Sequence, residues 1–192
     1  KIITQHRISI VGTGYAGLCT AVGFASRGNK VITSTHNREK AASINKGIPP
    51  FYETDLQESL QRVIRNGYLK CMLDREETIL NTDITFIATA TPSQPNGSID
   101  LRSIKSSAGE IGKALNKKDT YHLVVVKSTV VPGTTQNVVK PTLEKHSNKI
   151  CGTHFGLCMN PEFLREGSAL HDTLHPDRII IGEYDKKSGD IL

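Results

Sequence analysis

The sequence predicts an α/β fold built on a doubly wound parallel sheet, in a single domain over residues 1–192. Three observations carry that prediction. Runs of β-branched and apolar residues, at 8–11, 84–89 and 121–127, are apolar almost throughout, as strands buried on both faces are. Segments with helical periodicity alternate with them, which calls for parallel strands joined by right-handed crossovers. A glycine pattern, Gly12-Thr13-Gly14-Tyr15-Ala16-Gly17, stands directly between the first run and the first helical segment. The combination is Rossmann-like.

Taken in order, the first strand is 8–11. The helix after the glycines carries Leu18, Ala21, Val22 and Ala25, is closed by Arg27-Gly28, and leads to a second strand at 30–33. Residues 38–45 read as a short helix stopped by Gly47, and Pro49-Pro50 cannot continue it, because proline lacks an N–H and biases its predecessor towards extended geometry. Asp55 stands where it would cap an amphipathic helix with Leu56, Leu60, Val63 and Ile64 on one face, ended by Asn66-Gly67. A short strand at 69–73 and a helical turn at 76–80 precede the strand at 84–89 and the loop at 90–97. Asp100 stands where it would cap a helix over 101–115. The strand at 121–127 runs into a polar loop at 128–135, and a helix over 135–145 is predicted to bend at Pro141. Two more strands are predicted at 155–159 and 178–181.

Composition narrows the function classes. The chain has 192 residues, 37% hydrophobic and 22% charged, which suits one globular domain rather than two or a disordered segment. No apolar run approaches the roughly twenty residues that span a bilayer, and the N-terminal segment 1–6 lacks the apolar core of a signal peptide, so a cytoplasmic protein without membrane contact is expected. The net charge of +5 is scattered, with no Arg-rich stripe interleaved with aromatics, which argues against a nucleic-acid partner; a mild positive balance suits an anionic small ligand. Cys19, Cys71, Cys151 and Cys158 form no CxxC pair, so they read as reduced packing residues. His171 and His175 are four apart, but Pro176 breaks any helix there and no third ligand follows, so no metal is expected.

The glycine pattern sits inside a strand–turn–helix–strand unit of about thirty residues, the setting that a dinucleotide site requires. Gly12 permits the tight turn, Gly14 lets the backbone approach a pyrophosphate, and Gly17 lets the helix pack against the strand. Free N–H groups at the helix N-terminus then face the phosphate charge. The acidic residue expected about twenty positions on, to bind ribose hydroxyls, is missing. Thr35 stands there, followed by His36 and Asn37, with Arg38 and Lys40 nearby, so NADP is an alternative to NAD.

Four loops at strand ends converge in such a fold: 12–17, 90–92, 128–133 and 160–167. In this order they resemble the UDP-glucose/GDP-mannose dehydrogenase family. The carrying residues are Gly12 to Leu18, Ala90-Thr91-Pro92, Lys127-Ser128-Thr129 with Pro132-Gly133-Thr134, and Asn160-Pro161-Glu162-Phe163-Leu164-Arg165-Glu166-Gly167, continuing to Asp172, His175 to Arg178, and Gly182. The resemblance covers nearly the whole chain from Arg7, and Gly167 after Glu166 resembles the UDP-glucose branch more than the GDP-mannose branch.

The resemblance implies a two-step oxidation of a sugar-nucleotide C6 alcohol with two NAD, UDP-glucose to UDP-glucuronate, through a thioester; a GDP-mannose or other UDP-sugar 6-dehydrogenase, or a catalytically silent dinucleotide-binding module, is the alternative. It implies that Gly12, Gly14 and Gly17, with Tyr15 and Ala16, hold the NAD pyrophosphate, and that Thr91, Ser128 and Thr129 lie along the coenzyme towards the nicotinamide. Thr91 is also implied to hold a catalytic water and Glu162 to act as the base on it. Glu166 is placed on the coenzyme side, and Phe163 and Leu164 against the sugar. If Glu162 opens a helix, it shares a face with Glu166, and like charges that close raise one pKa. The family's nucleophilic cysteine falls beyond residue 192, so this chain is expected to be the coenzyme domain without the central helix and sugar-binding domain, and the full-length protein a homodimer.

Overall fold

The computed structural model describes residues 5–192; the rest of the N-terminal segment that was read for a signal peptide lies outside the described residues. The chain runs β1 (Arg7–Val11), α1 (Tyr15–Ser26), β2 (Lys30–Ser34), α2 (Arg38–Asn45), α3 (Leu56–Arg65), β3 (Leu69–Met72), α4 (Arg75–Leu80), β4 (Ile84–Ile87), α5 (Arg102–Asn116) and β5 (His122–Val126). A π-helical turn (Thr135–Val139) leads into α6 (Lys140–Ser147), followed by β6 (Phe155–Met159), α7 (Ala169–Leu174), β7 (Gly182–Glu183) and α8 (Lys186–Ile191).

The strands form one sheet in the order β3-β2-β1-β4-β5-β6-β7. All neighbours are parallel except β6 and β7, so the doubly wound prediction holds with one antiparallel edge. The strand order reverses between β1 and β4, which opens a crevice at their carboxyl ends. The sheet separates two apolar cores by side-chain alternation. Ile8, Ile10, Phe86 and Val125 pack against α1, α3 and α7, whereas Val11, Ile87, Val124 and Val126 pack against α4, α5 and α6. Each such buried Ile, Val or Phe contributes about 1.5–3 kcal/mol relative to exposure, and this double burial is why the strands read as unbroken apolar runs.

Four local expectations change. Residues 179–181 are exposed and make no ladder, because β6 pairs with β7 through Met159 and Gly182 instead. Asp55 adopts a left-handed φ of 60°, and its side chain does not cap α3; the Leu56 N–H bonds the Glu53 carbonyl. Asp100 does not cap from the predicted position, since α5 starts at Arg102, whose N–H its carboxylate accepts at 2.9 Å. The helix does not simply bend at Pro141. Proline cannot donate to the carbonyl four residues back, and the chain widens into the π turn ahead of it. Among the described residues, no helix is long and apolar enough to cross a membrane.

Towards the amino ends of β4 and β5, opposite the crevice, lies a buried polar chain. Thr82 donates to Ser9 (3.0 Å), Ser9 pairs with Thr85 (2.6 Å), and Thr85 pairs with His122 Nε2 (2.7 Å). Lys118 Nζ approaches His122 Nδ1 at 3.1 Å and donates to the Thr82 and Ile79 carbonyls. An ammonium has no acceptor, so His122 Nδ1 carries the lone pair and Nε2–H donates to Thr85.

Candidate functional site

The loops leaving β1, β4, β5 and β6 enclose a cleft of about 840 Å³, the size of a small-molecule site. Its floor is the glycine turn. Gly12 takes φ +119°, and a Cβ there would overlap the Ala88 carbonyl oxygen. A Cβ on Gly17 would overlap the Gly12 carbonyl, so α1 lies against the strand end only because both residues lack one. Gly14 differs: an added Cβ would meet no heavy atom within 4 Å among the described residues. Gly14 is the N-cap of α1 without a side-chain bond to the first turn, which holds no acidic residue. The helix N-terminus therefore opens onto free space between Tyr15, Ala16 and the β4 loop, which is what a phosphate group needs. Thr89, on the opposite wall, keeps a buried hydroxyl with no partner among the described residues. These features fit a bound dinucleotide.

Ser128 is buried and donates to the Thr89 carbonyl at 2.6 Å, tying the β5 loop to the β4 loop. Thr91 donates to the Thr129 carbonyl at 2.9 Å. Thr129 Oγ1 lies 3.5 Å from Glu162 Oε1, and Glu162 Oε2 accepts the Leu164 N–H at 2.7 Å. One carboxylate oxygen is thus anchored while the other faces the hydroxyl at the cleft wall. Gly12, Gly14, Tyr15, Ala16, Lys40, Thr91, Ser128, Thr129 and Glu162 all border this one cleft.

Other expected site residues lie elsewhere. Gly17 is buried beneath the turn, in the packing role expected of it. Thr35 accepts the Asn37 N–H at 3.3 Å, and Arg38 is exposed on α2; neither borders the cleft. Glu162 does not begin a helix, so it does not share a helix face with Glu166, which is exposed in a turn outside the cleft. The segment stays irregular because side-chain carboxylates occupy its backbone N–H groups: Glu162 takes Leu164, Asp172 takes Arg165 (3.1 Å), and Glu53 takes Gly167 (2.9 Å) and Ala169 (2.8 Å). Phe163 and Leu164 border a second cavity of about 410 Å³ on the far side of Glu162, which forms part of both walls.

Arg75 and Glu53 were not singled out from sequence, and Lys127, Arg165 and Asp172 carried the resemblance without a role of their own. Lys127 is largely shielded, and its Nζ donates to Asn160 Oδ1 at 3.1 Å in the second cavity; burial lowers its pKa, opposed by the Glu162 carboxylate. A lysine closing an otherwise apolar strand was the available signal. Arg75 and His36 border the cleft beside Lys40. Glu53 is 4% exposed and fastens the 160–169 segment to the proline loop. The Tyr15 hydroxyl donates to the Arg165 carbonyl at 2.5 Å, and burial together with the nearby Glu53 carboxylate raises its pKa. Arg165 pairs with Asp172 at 2.7 Å and holds that carboxyl well below the usual range. Replacing Glu53 with Gln is expected to lower unfolding stability by about 2–3 kcal/mol, since an amide cannot accept both N–H groups as a carboxylate does. Urea titration measures it, and an unchanged midpoint would contradict the role.

The four cysteines are buried, and burial pushes the Cys158 thiol up to about 11 and the Cys19 thiol up to about 12. None is poised as a thiolate nucleophile. Among the described residues, no group of three or more His, Cys, Asp or Glu side chains is arranged to hold a metal.

A sequence profile of the UDP-glucose/GDP-mannose dehydrogenase family, NAD binding domain, matches residues 6–192. GDP-mannose 6-dehydrogenase of Pseudomonas syringae pv. syringae is 45% identical over 186 residues, 97% of this chain and 42% of that protein. UDP-glucose 6-dehydrogenase AglM of Haloferax volcanii is 43% identical, over 96% of this chain and 43% of that protein. The crystal structure of a ternary complex of GDP-mannose dehydrogenase from Pseudomonas aeruginosa superposes with a TM-score of 0.94 at 43% identity, covering 96% of this chain and 42% of that one. The chain thus spans less than half the length of these relatives. With the cleft geometry and the match along nearly its whole length, the chain belongs to the UDP-glucose/GDP-mannose dehydrogenase family as an NAD-binding domain.

Proposed function

We propose that residues 1–192 are the coenzyme domain of an NAD-dependent nucleotide-sugar 6-dehydrogenase, which oxidises a C6 alcohol to the carboxylate in two steps. The observation that carries this reading is the convergence of Gly14, Thr91, Thr129 and Glu162 on one cleft. UDP-glucose is the first substrate reading, from the Gly167 pattern. GDP-mannose is the second, favoured by the 45% identity to an enzyme named for it.

NAD, when bound, accepts hydride from C6 in each oxidation. Gly12, Gly14 and the α1 N-terminus seat the pyrophosphate. The Thr91 and Thr129 loops position the nicotinamide end, and orientation of that kind is the protein's main contribution to hydride transfer. In the final step, a thioester on a cysteine outside this chain is hydrolysed. Water adds to the carbonyl carbon as Glu162 takes one of its protons, the C–S bond breaks to release the thiolate and the carboxylic acid, and the acid gives up its remaining proton to solvent as the carboxylate. Glu162 suits that task because the Leu164 N–H fixes one oxygen while the other faces the cleft.

The test uses the full-length protein with UDP-glucose and GDP-mannose in parallel. The Glu162→Gln variant is expected to lower turnover about a hundredfold to ten-thousandfold and to accumulate the acyl-enzyme, visible by intact mass. Failure of the parent to reduce NAD with either sugar nucleotide would overturn the reading.

A further inference from the structure

We propose that the cleft accepts a 2′-phosphorylated dinucleotide, NADP, as well as NAD, with Lys40 and Arg75 forming the cationic wall for the 2′-phosphate. This rests on the reading that the cleft holds a dinucleotide, and adds which dinucleotides it admits.

The argument starts at the end of β2. A carboxylate at that point binds the ribose 2′-hydroxyl and repels a phosphate in its place. Here Ser34 ends the strand and uncharged Thr35 follows. The nearest carboxylate along the chain, Glu39, is exposed in the first turn of α2 and does not border the cleft. No acidic group from β2 therefore stands against a phosphate.

Cations border this part of the cleft instead. Lys40 is half-buried at its edge. Arg75 enters from the first turn of α4, with a side chain only 9% exposed. Its Nη1 pairs with Glu110 at 3.0 Å, while its Nε is buried and has no acceptor among the described residues. A buried guanidinium with a donor unspent is an incomplete anion site. Glu110 offsets one charge, leaving two cations against one carboxylate among Lys40, Arg75 and Glu110. His36 borders the same wall, its Nε2 3.7 Å from Glu110. Of the other two carboxylates that border the cleft, Asp100 is already paired with Arg102 at 2.6 Å, and Glu162 stands with Thr129 in the β5 and β6 loops.

Isothermal titration of the purified chain with NAD and NADP at about 0.1 M salt tests this, with 5′-AMP and adenosine 2′,5′-bisphosphate as probes of the 2′-phosphate alone. The NADP dissociation constant is expected to lie within about thirtyfold of that of NAD, and the bisphosphate to bind tighter than AMP. A larger NADP/NAD ratio overturns the proposal. Thr35→Asp is expected to raise that ratio at least about thirtyfold through charge repulsion, and Lys40→Ala to raise it about tenfold; both positions are solvent-accessible and off the core. Unchanged ratios in both variants overturn the assignment of this wall. If NAD itself fails to bind, the coenzyme reading falls and this inference with it. NAD binding with NADP excluded overturns the inference alone.

Discussion

Gly14→Ala is expected to weaken NAD binding by about a hundredfold or more while leaving the thermal midpoint within about 2 °C of the parent. Gly17→Ala, three residues away, is expected to do the reverse in kind: about 3 kcal/mol or more of lost stability, or roughly 10 °C in midpoint for a chain of this size. The contrast follows from what each new methyl meets. At Gly17 it strikes the Gly12 carbonyl, which belongs to the backbone and can yield only if the helix or the turn moves. At Gly14 it meets nothing within 4 Å, and φ is −77°, a value alanine adopts freely. The protein alone has no use for the missing Cβ of Gly14; only a group seated on the α1 N-terminus would collide with it. Calorimetric titration and a melting curve on the two variants separate the effects. Gly14→Ala binding NAD like the parent would show that the phosphate sits elsewhere.

Acid is expected to destabilise the fold well above the carboxylate range, through His122. Burial, with the Lys118 ammonium second and Asp83 opposing, pulls its pKa from 6.5 down to about 3. The unfolded chain therefore binds a proton below about pH 6.5 that the folded chain refuses until about pH 3. Unfolding takes up that proton, so stability is full above the unfolded pKa and falls as pH drops, by about 1.4 kcal/mol per unit. Between pH 6.5 and pH 5 the loss from this residue alone is about 2 kcal/mol. Asp83 and Asp172 also have lowered values, held down by Arg7 and Arg165, but their contributions are lost only below the ordinary carboxylate range. Denaturant titrations at stepped pH are the check. His122→Gln is expected to be less stable at pH 7.5 by about 2 kcal/mol, from imperfect satisfaction of Thr85 and Lys118, and to lack the slope between pH 6.5 and 5. Parallel slopes in parent and variant would remove His122 as the cause.

The second cavity shows how sequence and structure divide the site. The block from Asn160 to Gly167 was legible as a functional segment, and Glu162 does border the cleft. The helix that would have put Glu162 and Glu166 on one face does not form, because the residues that hold the segment open, Glu53 and Asp172, reach it through side chains rather than through local spacing. Phe163 and Leu164 face the cavity behind Glu162, a placement set by that irregular path. Likewise, Arg38 and Lys40 were the cations near β2 by spacing; Lys40 borders the cleft and Arg38 does not, and Arg75 borders it from the start of α4.

By itself the sequence determined the alternation of strands and helices, the two-faced burial of the sheet and the positions of Gly12, Gly14 and Gly17. Each of these is a local signal: hydrophobic period records burial, and a missing side chain records a close approach. Only the tertiary structure decided which hydroxyls are spent on backbone carbonyls, as Ser128 is on Thr89, and which charges meet across the fold, as Glu53 meets Gly167 over 114 positions. Such contacts depend on how the elements pack in three dimensions, and the residues that make them carry no mark of it in their own neighbourhood.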